Sequence, residues 1–118
     1  MFRIEEDARG KMASLKLSGI MIDTDAMALN DRVRQLIGQG KKQIVFDLSE
    51  VRLMNSCFGL GILMACWSCL NRAGGELKLA SPSAKVLHLL EITKLDQIFD
   101  IFDTVTEAKS SFGEELPV

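Results

Sequence analysis

A single histidine, His88, and three cysteines, Cys57, Cys66 and Cys69, are all that this 118-residue chain offers to a zinc site or a disulfide framework. The odd cysteine count and the lack of framework spacing suit a reducing compartment. Surplus positive charge is also missing: Lys and Arg number 14 against 16 Asp and Glu, for a formal net charge of -2. That balance gives no global pull toward nucleic acid, and no nucleic-acid partner is expected. Long apolar runs are absent too. The longest apolar block, around Phe58 to Cys69, is broken by Gly and Ser and falls short of the ~18 residues a membrane span needs. It reads as a buried helix, so no membrane insertion is expected. Without a basic start followed by an apolar run there is no signal-peptide pattern, and the cytoplasm is the expected location.

What is present describes a folded domain. Hydrophobic residues make up 47% of the chain and charged residues 25%, a balance of globular rather than disordered sequence. The length is that of one domain with one core of ordinary size. No repeat, linker or low-complexity segment divides it. Residues 1–112 are expected to form that domain, and the closing "GEELPV", 113–118, a mobile tail.

Strand and helix patterns alternate along the chain. "ASLKLSGIMI" alternates and then runs apolar, as a strand entering a core does. "DTDAMALNDRVRQLIGQGKK" opens with the cap-type residues Asp23, Thr24 and Asp25. Its apolar residues Met27, Val33, Leu36 and Ile37 follow helical spacing, and Gly38 and Gly40 end it. "KQIVFDLSEV" carries the uninterrupted run Ile44 to Phe46, the mark of a central strand covered on both faces. From about Phe58 to Asn71 a helix is expected, with Leu60, Leu63, Trp67 and Leu70 as its core stripe. "AGGELKLA" is a glycine stop and a short strand. "SPSAKVLHLLEITKL" offers Ser81 as a cap and Pro82 as first helical residue, with His88 partly buried. "QIFDIFD" is a short strand, and "TVTEAKSSF" a last helix begun by Thr104 or Thr106. The alternation predicts an α/β domain, a small mixed sheet flanked by helices.

The chemistry-bearing motifs are few. "CWSC", Cys66 to Cys69, has C-x-x-C spacing, but a redox pair needs a helix start to lower the thiol pKa, and this pair falls mid-helix. Small buried hydrophobes are the better reading. "GLG" is not G-x-G-x-x-G, and there is no Walker motif. No Ser, His and Asp set and no paired-carboxylate cleft is evident, so neither an enzyme nor a cofactor is expected.

The order of segments resembles a known family. "IVFDLSEVRLMNS…GLGIL", followed by "RAGGELKLASPSAKVLHLLEITKLDQIFDIFDTVTEA", is similar to STAS domains of the bacterial anti-sigma factor antagonist type, roughly from Leu15 through Ala108. The resemblance implies a small sheet flanked by helices. It also implies a serine, at the start of the helix after the central strand, that a partner anti-sigma factor serine kinase phosphorylates. Bare, such an antagonist holds the anti-sigma factor and frees the sigma factor; phosphorylated, it lets go.

The family motif reads Asp-Ser-Ser/Thr-Gly-Leu-Gly, often with Asn first. This chain has Asn55-Ser56-Cys57-Phe58-Gly59-Leu60-Gly61, one residue more before the first glycine. Aligned from the strand side, Ser56 is the phosphoacceptor. Aligned from Gly59, the position falls on Cys57, which a serine kinase cannot phosphorylate. Ser56 is the only hydroxyl in the loop and is the acceptor adopted here. The partner interface implied is Asp23, Thr24, Asn55, Ser56, Cys57, Phe58 and Gly59. Two simpler readings stand beside it: Ser56 as a plain helix cap, and the chain as a non-phosphorylated STAS adaptor of a transporter or sensor complex. Self-association is left open.

Overall fold

Ile44, Val45 and Phe46 are all fully buried, although they lie side by side in one strand. Successive residues of a strand face opposite ways, so this strand is covered above and below. The computed structural model describes residues 2–21, 23–54 and 58–112; of residues 2, 21, 23–26, 53, 54, 58 and 59 it describes the backbone. The chain runs β1 (Phe2–Arg9), β2 (Met12–Met21), α1 (Asp23–Gly38), β3 (Gln43–Met54), α2 (Phe58–Arg72), β4 (Glu76–Ala80), α3 (Ala84–Ile92), a 3-10 turn (Leu95–Gln97), β5 (Asp100–Phe102) and α4 (Val105–Ser110). The sheet order is β1-β2-β3-β4-β5. β1 lies antiparallel to β2, and all other pairs are parallel. This is the mixed α/β sheet the alternation predicted.

The two faces of the sheet are unequal. One packs against α1, α2 and α3 in the main core, where Leu15, Leu17, Ile44, Phe46 and Leu79 meet Leu29, Val33, Leu63, Leu70 and Leu90. The other carries, among the described elements, α4 alone, over a small second cluster of Val45, Ala80 and Ala108 with Phe102, Val105 and Phe112 against it. Lys78 is 6% exposed on β4. Its ammonium lies 3.1 Å from Asp100 and 3.6 Å from Glu76, and 5.5 and 5.0 Å from the rings of Phe102 and Phe112. A cation over aromatic faces is stabilised by the ring quadrupole, so this lysine is paired rather than stranded.

Several expectations need correcting. β1 was not anticipated: "FRIEEDAR" is mostly charged, and among its described side chains only Ile4 and Ala8 pack on the core. Met27 is 62% exposed; the α1 residue that turns inward there is Leu29. His88 is exposed on α3. The α3 cap is Ser83, whose hydroxyl accepts from the Val86 amide at 3.2 Å, and not Ser81, with Pro82 lying before the helix. Ser81 instead takes a left-handed φ of 57° and donates its hydroxyl to the Asp103 carbonyl at 2.8 Å. Thr104 caps α4 by accepting from the Glu107 amide at 3.1 Å. Ser83→Ala and Thr104→Ala should each lower stability by about 0.5–2 kcal/mol in denaturant titrations. Ser81→Ala should leave the capping of α3 unchanged.

Candidate functional site

The expected site is the crossing from β3 to α2, and it takes its position from the strand before it. β2 and β3 run parallel, and their register pairs Met21 with Met54, the last residue of each. The two strands therefore finish side by side. Register shifts between Lys16 and Ser18 and between Gly19 and Ile20 bend β2 on the way to that end. α1 starts at Asp23 and α2 at Phe58, so two helix N-termini open at one end of the sheet. A helix N-terminus leaves its first amide N–H groups without intrahelical partners and bears partial positive charge.

Of the seven residues expected at a partner interface, Asp23 and Thr24 are the first two of α1, and Phe58 and Gly59 the first two of α2. The helical backbone at these four positions meets at one end of the sheet. Asn55, Ser56 and Cys57, including the expected phosphoacceptor, lie outside the described residues, as does the expected tail 113–118.

The helix behind the site is firmly seated. Leu60, Leu63 and Leu70 are 5%, 0% and 0% exposed, and Trp67 packs against the same core. α1 and α2 also pack on each other. Gly61 is the exception in this stripe. It is exposed, and a Cβ built there would meet nothing within 4 Å among the described residues. No described residue requires glycine at this position by packing, yet glycine weakens a helix by about 1 kcal/mol relative to alanine. Beside it, sequence reasoning missed two apolar side chains at the same end: Ile20 near the close of β2 and Met27 in α1, 38% and 62% exposed. Helical periodicity assigned Met27 to the core, and nothing in the pattern singled out Ile20.

Cys66 is fully buried in α2, and Cys69 is half-buried; both are free. Burial pushes the Cys66 thiol up to about 12 from an ordinary 9.0, helped by neighbouring Cys69 and opposed by Arg34. The folded thiol keeps its proton where the unfolded one loses it. Its contribution to stability is therefore full below about pH 9 and falls as pH rises from there toward 12. Cys66 should resist thiol reagents in the folded protein at neutral pH and label promptly in denaturant, as measured by mass spectrometry. Prompt labelling in the native state would contradict its burial. Among the described residues, no group of three or more His, Cys, Asp or Glu could hold a metal ion, and no helix is long and apolar enough to cross a membrane.

The fold is that of a known class. The chain belongs to the STAS domain family, whose profile matches residues 3–108. Its relatives are of the anti-sigma factor antagonist type. A Thermotoga maritima protein provisionally named an anti-sigma factor antagonist is 35% identical over 74 residues, 63% of this chain and 65% of that one. The match thus spans just under two thirds of that relative's length. The anti-sigma-B factor antagonist of Bacillus subtilis is 33% identical over 88 residues, 75% of this chain and 74% of that one. Among solved structures, a provisionally named Thermotoga maritima antagonist superposes with a TM-score of 0.84 at 26% identity, covering 92% of each chain. The antagonist SpoIIAA in its unphosphorylated form shares the fold, with a TM-score of 0.79 at 19% identity over 99% of this chain and 100% of that one.

Proposed function

We propose that this chain is an anti-sigma factor antagonist that binds a partner anti-sigma factor serine kinase and is released when Ser56 is phosphorylated. It acts as a binding module and a kinase substrate rather than as an enzyme, and regulates transcription by freeing a sigma factor. The relatives named as antagonists support the role, and SpoIIAA has been solved in both unphosphorylated and phosphorylated forms.

One observation carries the switch reading: β2 and β3 end side by side, with α1 and α2 beginning beside one another at that end. Ser56 lies in sequence between the last residue of β3 and the first of α2. A phosphate beside a helix N-terminus is locally tolerated, because amide N–H groups and the helix dipole favour negative charge. The same phosphate places about -1.5 to -2 charges on the surface a partner must cover, at a cost in repulsion and desolvation. Phosphorylation therefore spares the fold while opposing the complex.

Incubation with the cognate anti-sigma factor kinase and ATP, followed by peptide mass spectrometry, should place one phosphate on Ser56 and none on the Ser56→Ala protein. Label on Thr24 or Ser49 instead would leave Ser56 as a helix cap and move the switch elsewhere; no label at all would make the chain a non-phosphorylated STAS adaptor.

A further inference from the structure

The opposite end of the sheet is built from three loops tied to one another. The Gln43 amide donates to the Lys11 carbonyl at 3.2 Å, and the Glu76 amide to the Lys42 carbonyl at 2.8 Å. The Lys41 ammonium donates to the Gly10 carbonyl at 3.2 Å. Gly75 sits so close to the α1–β3 loop that a Cβ there would lie 2.3 Å from the Lys42 carbonyl oxygen. Glycine is therefore required at that position for the loops to meet. Between them is a concavity of about 400 Å³, lined by Lys11, Lys42, Gln43 and Glu76 with Gly40, Gly74 and Gly75.

Its charge is unbalanced. No carboxylate among the described residues lies within 4.0 Å of the Lys11, Lys41 or Lys42 ammonium groups. The one acidic lining residue, Glu76, is 3.6 Å from the buried Lys78 ammonium, which it shares with Asp100 at 3.1 Å, so its charge is offset only in part and is outnumbered by the lysines. Lys11 and Lys42 are exposed, so their ammonium groups are available to a ligand. The volume lies in the range of small-ligand sites. The lining has no large apolar side chain, so attraction there must come from charge and from hydrogen-bond donors rather than from apolar burial.

We propose that this concavity binds a small soluble polyanion of the phosphate class, held by Lys11 and Lys42 over the glycine-lined floor. The concavity is at the opposite end of the sheet from the ends of β2 and β3 and does not depend on the phosphoswitch.

The test is a titration of the isotope-labelled full chain with pyrophosphate, followed by amide chemical shifts, against sodium chloride at matched ionic strength. The expected result is a saturable response concentrated at residues 10–11, 40–43 and 74–76. Lys11→Glu and Lys42→Glu should each weaken it by about tenfold or more, through the loss and reversal of one charge. Lys85→Glu, at an exposed lysine on α3, should leave it unchanged. A response that fails to saturate, that sodium chloride reproduces, or that Lys85→Glu weakens equally would overturn the site. A short polyglutamate peptide binding the same residues more tightly than pyrophosphate would overturn the ligand class and make this a docking surface for an acidic chain.

Discussion

Ser56→Asp is expected to fold normally and to bind the anti-sigma factor partner roughly ten- to a hundred-fold more weakly, a loss of about 1–3 kcal/mol. The sign follows from where the charge would sit. Two residues before the first turn of α2, a carboxylate is stabilised by the helix N-terminus, which contributes about 0.3–1 kcal/mol and opposes unfolding. In a complex that covers this end of the sheet, the same carboxylate must lose water and face whatever the partner presents. Ser56→Ala provides the contrast. It should retain partner binding, accept no phosphate, and lose only what a cap contributes, about 1 kcal/mol. Isothermal titration of wild type, Ala and Asp forms against the anti-sigma factor, with thermal melts of each, separates the two effects. Equal affinity for all three forms would remove Ser56 from the interface.

Leu63→Ala should lower the free energy of unfolding by about 2–5 kcal/mol, a large share of the stability of a domain this size. Leu63 is fully buried midway along α2, in the same core as Leu29, Phe46 and Leu79. Removing its terminal carbons leaves a cavity that the flanking strands can close only partly. Chemical denaturation measures the loss. A change within experimental error of zero would mean that α2 is not anchored through this face. Because α2 carries the N-terminus at the proposed switch, the same variant should also blunt partner binding at temperatures near its melting point.

The elements that could be read from the chain were those whose burial is written in local periodicity. Ile44 to Phe46 is legible because both faces of β3 are covered: Ile44 and Phe46 enter the main core and Val45 the cluster under α4. The stripe on α2 is legible because Leu60, Leu63 and Leu70 repeat at helical intervals over a long helix. Met27 misleads for a geometric reason. It precedes Val33 by six residues, about 240° around a helix, which puts it on the far side from Leu29, Val33 and Leu36. β1 is obscure because, among its described side chains, Ile4 and Ala8 alone reach the core, while the residues around them from Arg3 to Arg9 are charged. Its place is fixed by hydrogen bonds to β2 that leave little trace in side-chain pattern.

The α3 cap shows where reading by local signals stops. Two serines flank Pro82, and both satisfy the usual preference for a cap. What distinguishes them is a long-range contact: Ser81 spends its hydroxyl on the Asp103 carbonyl, across to the loop before α4. Ser83 is left to serve the helix. His88 was obscured by its neighbours, since the apolar residues around it in "VLHLL" suggest burial. Val86 and Leu90 take the inward positions, and His88 falls between them on the outer side. As for the site, its residue types were visible in "NSCFGLG", but the convergence of α1 with α2 depends on the parallel pairing of two strands more than thirty positions apart in register.

The unequal covering of the two sheet faces gives the molecule a graded resistance to opening. α4 spans only Val105–Ser110 and is held by Thr104, the Lys109–Asp7 pair at 3.8 Å and a handful of side chains over Val45 and Ala80. A helix that short has almost no stability of its own and persists only through its packing. It can therefore lift away as a unit, with its amides exchanging at a lower free energy than those of β3, while the larger core beneath α1 and α2 stays closed. Lys78 would meet water first in that opening, losing the Phe112 ring that covers it. The end of the domain where α1 and α2 begin would keep its shape, because those two helices are rooted on the other side.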